Sequence, residues 1–282
     1  VTAGRRLTGP GLLSLPALGA YAVLFALPLG LLLADSFRGP SGWTGGLYLR
    51  FVSSGYNWAV IGRTLRMAGL CTLVCGILGY PAAFALAATR GRVQSLLIAV
   101  MLLPLSVSVI VKAFGWTVLL RSNGAINLLL QGLHVTDAPI RLLFTETGLL
   151  LGTTNIFLPF MVLPLFAVIR QIDPRLGDAA ATLGSAPLHR FLFVTLPLTL
   201  PGLVAGITLV FSLSIAAYVI PNLLMGDTYQ TLPTVIATSF LFLQDSGRGS
   251  VAGVILLALS LAVIVGSVAL TRRLAGRLVG GR

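Results

Sequence analysis

The sequence predicts an all-α integral membrane protein with six transmembrane helices. Three observations carry this. Of 282 residues, 56% are hydrophobic and 9% charged, and the mean hydropathy is +0.99. The apolar residues gather into six runs, each near the length a helix needs to cross the hydrocarbon core, about 20 residues. The connections between runs alternate between arginine-rich and acid-containing. A soluble domain carries about 25% charged residues; this chain has too few to cover a surface in water.

The runs are residues 12–34, 66–88, 96–120, 147–169, 198–220 and 251–270. The first follows Arg5 and Arg6, as a secretory signal would. It is too long for a signal's apolar region and lacks a clean small-x-small cleavage site, so a retained span is expected. In the second, Cys71 and Cys75 share one helix face. No His or other Cys lies near them in sequence, so they read as packing residues rather than metal ligands or a disulfide framework.

The third run holds Pro104 and Lys112, the fourth Pro159 and Pro164, and the fifth Pro201. Backbone groups in lipid must be satisfied internally, so these prolines mark kinks packed against neighbouring helices. The steps Gly148 to Gly152 and Gly202 to Gly206 would let helix backbones approach closely. An ionisable residue within a span invites a functional reading. Lys112, the only lysine, lies near the end of its run. It either snorkels or bonds between helices, or lines a solute path together with Trp116.

Orientation follows from the arginines. One set of connections holds Arg5, Arg6, Arg90, Arg92, Arg170, Arg175, Arg190, Arg272, Arg273, Arg277 and Arg282. The other holds fewer arginines, with Asp35, Asp137, Glu146, Asp227 and Asp245. Cationic residues collect on the cytoplasmic side, so both termini are expected there. Trp43, Tyr48, Tyr56 and Trp58 then fall in or beside the first outer loop, where amphipathic rings suit the interface. The net charge of +12 is explained by this distribution, and no basic run interleaved with aromatics points to nucleic acid.

Between the fourth and fifth spans the chain has a helix grammar of its own. Asp173 can cap a helix whose first residue is Pro174. Leu176, Ala179, Ala180 and Leu183 recur at helical spacing, and Gly184 stands where a left-handed residue ends a helix. Ser185 can cap a second short helix leading through Arg190, Phe191 and Val194 to Leu196-Pro197. Two short helices with a glycine corner would project from the membrane as a knob. An ordinary amphipathic helix at the membrane surface is the plainer reading of the same segment.

The run Asp178-Ala179-Ala180-Ala181-Thr182-Leu183-Gly184, followed by Val194-Thr195-Leu196-Pro197, resembles the cytoplasmic loop of ABC importer permeases. That loop reads Glu-Ala-Ala, three residues, Gly, nine residues, Ile-x-Leu-Pro. The spacing is kept here, with Asp178 for the Glu and Val194 for the Ile. Gly79-Tyr80-Pro81-Ala82-Ala83-Phe84, Leu103-Pro104 with Lys112-Ala113-Phe114-Gly115-Trp116, and Leu158-Pro159-Phe160-Met161-Val162-Leu163-Pro164-Leu165 are similar to segments of the polyamine-type permeases in that family. Asn123 to Asn127 and Pro139 to Thr145 resemble that subgroup's outer loop. The likeness is good over residues 79–206 and rests elsewhere on hydropathy. Within that subgroup the chain resembles the first permease subunit of spermidine/putrescine-type importers.

The resemblance implies a single transmembrane permease domain over residues 1–282, with its core at 58–275 and a coupling loop at 171–197. It implies a multi-pass protein of the bacterial inner membrane forming half of a gated solute path. Arg175, Asp178, Ala179, Ala180, Leu183, Gly184 and Leu188 would meet a separate ATPase. A second homologous permease chain, two ATPase subunits and a periplasmic or extracellular solute-binding protein would complete the importer, with ATP and Mg on the ATPase. The solute would be a polyamine or a similar small organic molecule.

The chain shows no ATP site of its own. A P-loop needs Gly-x-x-x-x-Gly-Lys-Ser/Thr, and Lys112 is followed by Ala113. His134 and His189 lie in separate loops and read as surface residues. The rival from another class is an ATP-independent secondary transporter or channel. Such proteins often show inverted repeats and acids at mid-span. Neither is evident here.

Overall fold

The computed structural model describes residues 10–39, 42–173, 175–226 and 229–279. Helices dominate: α1 (Pro10–Ser36), α2 (Gly46–Ser53), α3 (Gly55–Ala88), α4 (Gly91–Ser106), α5 (Val109–Leu119), α6 (Ala125–Gly132) and α7 (Glu146–Ile169) form the first half. They are followed by α8 (Arg175–Thr182), α9 (Pro187–Arg190), a π-turn (Phe191–Thr195), α10 (Leu196–Ile215), α11 (Val219–Met225), α12 (Leu232–Leu241) and α13 (Ser246–Val279). The strands β1 (Arg38–Gly39) and β2 (Gly42–Trp43) pair antiparallel. Among the described residues five helices are long and apolar enough to cross a membrane, and α4 with α5 makes a sixth if that bent pair is one span. The all-α membrane fold expected from the sequence is borne out.

The chain divides into two compact units, one of residues 1–58 and 235–255, the other of 59–234 and 256–282. In the first, the Tyr48 hydroxyl donates to Ser36 Oγ at 2.8 Å, and the Phe37 and Tyr48 rings lie 5.0 Å apart. These contacts hold α2 against the end of α1. The N-terminus of α13 is capped by Asp245, whose Oδ1 accepts from the Arg248 N–H at 2.9 Å.

In the second unit α7 is the central helix, with Leu149, Met161, Val162 and Leu165 fully buried. Helix α10 packs along it, and the glycines set the distance. A Cβ at Gly206 would stand 2.7 Å from Met161 Sδ and 3.1 Å from the Met161 carbonyl. One at Gly202 would meet the Pro164 carbonyl at 3.0 Å. Gly152 on α7 lies similarly against Leu224, at 2.9 Å. The close backbone approach that the glycine steps predict is present at Gly202 and Gly206, whereas Gly152 faces the Leu224 and Trp116 side chains.

Several spans differ from their expected outlines, the sixth running as α13 from Ser246 to Val279. The third is broken: α4 and α5 meet at 98°. Pro104 removes a helical donor, the Val107 N–H turns back to the Pro104 carbonyl at 3.3 Å, and Ser108 caps α5 by accepting from Ile110 N–H at 3.3 Å. The fifth ends at Ile215 rather than residue 220, because Pro221 cannot donate to the carbonyl a turn earlier; the chain restarts as α11. The second begins at Gly55, well before residue 66, since its first turns are polar and invisible to a hydropathy reading. Asn57 and Thr64 there are buried and bonded to Phe51 and Val60 carbonyls.

Candidate functional site: the loop between α7 and α10

The loop folds as its residue types dictate. Asp173 Oδ1 accepts from Arg175 N–H at 2.9 Å, which caps α8 as expected. Pro174, the expected first helical residue, lies outside the described residues. Helix α8 ends on Gly184, whose φ is +77°; its N–H bonds to Ala181 O at 3.0 Å and that of Ser185 to Ala180 O at 3.1 Å. The left-handed corner therefore sits at the expected glycine.

The second helix departs from expectation. Ser185 is not its cap: α9 begins at Pro187, after Ala186, with no side-chain cap. Nor is α9 separate from the fifth span, because residues Pro187–Ile215 run as one rod. Pro197 cannot donate to the carbonyl four residues before it. The π-turn at Phe191–Thr195, closed by Leu196 N–H to Phe191 O, absorbs that loss. Nothing in hydropathy signals such a turn; Pro197 inside an apolar run was the available clue.

The two helices are clasped by Arg190, whose Nη1 donates to the Gly177 carbonyl at 3.4 Å. Arg175, Asp178 and Ala179 are exposed and Ala180 is half-buried. Leu183 is 88% exposed and Leu188 69%. All seven residues expected on the coupling surface lie in α8, α9 or the turn between them, and two of them are leucines in the open.

Behind the corner lies a cavity of about 680 Å³ lined by residues including Phe84, Arg90, Gln94, Arg170, Asp173 and Leu176. The Tyr80 hydroxyl and Thr199 Oγ1 lie 2.8 Å apart, and Phe191 places its ring edge-on to Tyr80 at 5.7 Å. The π-turn and α10 are therefore tied to α3 beside the loop. A Cβ at Gly79 would come 2.7 Å from Met161 Cγ, so the Gly-Tyr-Pro stretch sets α3 tightly on α7.

The two residues expected on a solute path stand one turn apart on α5 and have separate partners. Lys112 Nζ donates to the Pro104 carbonyl at 2.9 Å. Trp116 Nε1 donates to Asn155 Oδ1 on α7 at 3.3 Å. Cys71 and Cys75 are free and fully buried, with Cys75 Sγ 3.7 Å from the Thr154 carbonyl.

A polar group far from the loop escaped the sequence reading. Arg66 on α3 pairs with Glu146 at the start of α7, at 2.9 Å. The Tyr229 hydroxyl donates to Glu146 Oε1 at 3.4 Å, and the Arg63 guanidinium lies 5.7 Å from the Tyr229 ring centre. Burial, then the Glu146 carboxylate, push the Tyr229 phenol up. These residues are too far apart in sequence for a local pattern to reveal them.

Comparison with known proteins decides the family. Residues 75–276 match the model of the binding-protein-dependent transport system inner membrane component. The chain belongs to this family. It is an inner-membrane permease subunit of an ABC importer, which removes the ATP-independent transporter reading. The permease is 32% identical to the spermidine/putrescine transport system permease protein PotB of Escherichia coli over 232 residues, 82% of each chain. It is 35% identical to that of Haemophilus influenzae over 191 residues, 68% of this chain and 67% of the relative. It also shares 31% identity with the molybdenum transport system permease protein ModB of Azotobacter vinelandii over 187 residues, 66% of this chain and 81% of the relative. Among solved structures, a bacterial ABC transporter involved in the import of the acidic polysaccharide alginate superposes with a TM-score of 0.77. It covers 93% of this chain and 94% of its own, at 17% identity, a likeness of fold.

Proposed function

We propose that this permease forms half of a gated path for a polyamine or similar small organic solute and is driven through the 173–197 loop by a separate ATPase. The observation that carries the coupling role is Leu183, 88% exposed at the α8–α9 corner. A leucine so exposed, flanked by small Ala179 and Ala180 and charged Asp178, fits a groove on a partner better than it fits water. Two ATPase subunits would hold ATP and Mg, a second homologous permease would complete the path, and a solute-binding protein would deliver from outside. Both termini lie in the cytoplasm on this reading, following the arginines.

The solute class is supported by the relatives named for spermidine/putrescine transport. The bond from Lys112 to the Pro104 carbonyl assigns that cation to the bend between α4 and α5 rather than to the path, where its charge would repel a cationic solute. Trp116 then stands as the path residue, its ring suited to ammonium groups.

The test is co-purification of the ATPase and ATP-driven spermidine uptake in vesicles. Leu183→Asp should insert normally yet lose ATPase capture and uptake. Spermidine uptake by this chain without any ATPase, or full coupling by Leu183→Asp, would overturn the proposal.

A further inference from the structure

On the coupling role proposed for the loop, its movement must reach the spans. We propose that Tyr80 is the strut that carries this movement to α3, a positioning residue for transport. It is the middle residue of the Gly79-Tyr80-Pro81 stretch, which stands apart from the docking corner.

The Tyr80 hydroxyl lies 2.8 Å from Thr199 Oγ1 on α10. Thr199 is fully buried, and its own proton goes to the Leu196 carbonyl at 3.0 Å. Tyr80 is therefore the donor, and the bond has a fixed direction. Packing alone would ask only for a ring at position 80, which phenylalanine would supply. A hydroxyl aimed at a buried acceptor on a neighbouring helix does more, since such bonds hold helices together in lipid.

On either side of this bond α3 stands away from the rod. Towards Leu73 and Ile77 a groove of about 490 Å³ has Leu203 and Ile207 on its far wall. Towards Phe84 a second groove, about 500 Å³, has Pro187 and Arg190 on its far wall. Tyr80 and Phe191 belong to the walls of both grooves, so these two side chains bridge the gap between two voids. The seam of α10 with α7 is the opposite case, closed at Gly202 and Gly206 down to backbone contact.

Few links separate the strut from the corner. Arg190 reaches α8 at the Gly177 carbonyl, 3.4 Å away. Phe191 follows Arg190 and opens the π-turn, and its ring meets Tyr80 edge-on at 5.7 Å. On the other side, a Cβ at Gly79 would stand 2.7 Å from Met161 Cγ, so α3 bears on α7 one residue before the strut. Pro81 lacks the N–H that would meet the Ile77 carbonyl. Helix α3 is thus seated at Gly79, held at Tyr80 and able to bend at Pro81.

The experiment uses the full complex with its ATPase in reconstituted vesicles and reads ATP hydrolysed per spermidine taken up. Tyr80→Phe keeps the ring and should leave ATPase capture intact, while the ATP used per spermidine rises about fivefold. Thr199→Val should match it, and the double variant should be no worse than either single one. Thr199→Ser keeps the hydroxyl and should recover the parent ratio. Cys71 and Cys75 are fully buried, so thiols introduced beside the grooves react selectively. Tyr80→Cys with Phe191→Cys should be uncoupled as made and recoupled by a short bifunctional methanethiosulfonate, which puts a covalent strut in the same place. A parent without ATPase capture would overturn the coupling role of the loop and the strut with it. With a parent that transports, an unchanged ratio in Tyr80→Phe, or loss of ATPase capture by that variant, would overturn the strut alone. So would a cross-link that abolishes uptake, because the two residues would then have to separate during transport.

Discussion

Lys112 Nζ lies 2.9 Å from the carbonyl of Pro104, across the bend that joins α4 to α5. The carbonyl, which also accepts from the Val107 N–H, belongs to the last turns of α4, at the negative end of the helix dipole. The only lysine in the chain thus serves the break that Pro104 creates. A bond from a charged donor contributes about 1.5–3 kcal/mol. Lys112→Met should lower the thermal midpoint in detergent accordingly, while Lys112→Arg should recover most of it. An unchanged midpoint together with an altered solute KM would instead return Lys112 to the solute path.

The seam between α7 and α10 is set by Gly202 and Gly206. The groups facing Gly206 include the Met161 carbonyl and Cα, which cannot swing away as a side-chain tip can. Gly206→Val should therefore force the helices apart, at a cost of about 1–3 kcal/mol for overpacking. Gly177→Ala, where nothing lies within 4 Å of an added Cβ, should be near neutral. Equal midpoints for the two variants in a thermal melt would mean that the seam tolerates a side chain.

The sequence made the five unbroken spans legible because hydropathy reads what lipid demands, and the Asp173 cap and Gly184 corner because both follow from single residue types. It did not reveal the sharp bend at Ser106–Ser108, since Pro104 alone is equally consistent with a mild kink. It also missed α11 and α12, too short to register as spans, and the π-turn before Pro197. In the loop, residue identity pointed to the exposed surface, but the clasp from Arg190 to Gly177 and the tie from Tyr80 to Thr199 needed coordinates. Long-range polar pairs leave no local period in a sequence.

Arg66 and Glu146 illustrate that last point and can be tested directly. Their side chains are 65% and 38% exposed, so water screens the pair and about 0.5 kcal/mol is the coupling to expect. A double-mutant cycle with Arg66→Gln and Glu146→Gln should give that value at low salt and less at high salt. Exchange of the charges, Arg66→Glu with Glu146→Arg, should restore part of the loss seen in either single variant. Zero coupling at low salt would mean that the contact is incidental.

The arginine distribution predicts topology. A reporter active only in the periplasm should be silent when fused after Arg277 and strongly active when fused after Asp227. The opposite pattern would invert the orientation, and the α8–α9 corner would then lie on the wrong side of the membrane for an ATPase.

Gly184 gives the sharpest test of coupling. Its φ of +77° costs a residue with a Cβ roughly 1–2 kcal/mol, yet nothing lies within 4 Å of the added atom. The penalty is therefore one of backbone conformation, without a clash. Gly184→Val should misplace the corner, whereas Gly184→Asn, which tolerates the left-handed region, should keep most of its function. Asp178→Lys reverses the one acidic charge of α8 and should repel whatever cation receives it. Both Gly184→Val and Asp178→Lys should insert at normal levels, because the spans are untouched, and lose ATPase co-purification and ATP-driven uptake. Were Val and Asn at position 184 to behave alike, the left-handed corner would be irrelevant to coupling. Were the Gly184→Val, Asp178→Lys double variant to transport fully, the loop would be only a connector between α7 and α10.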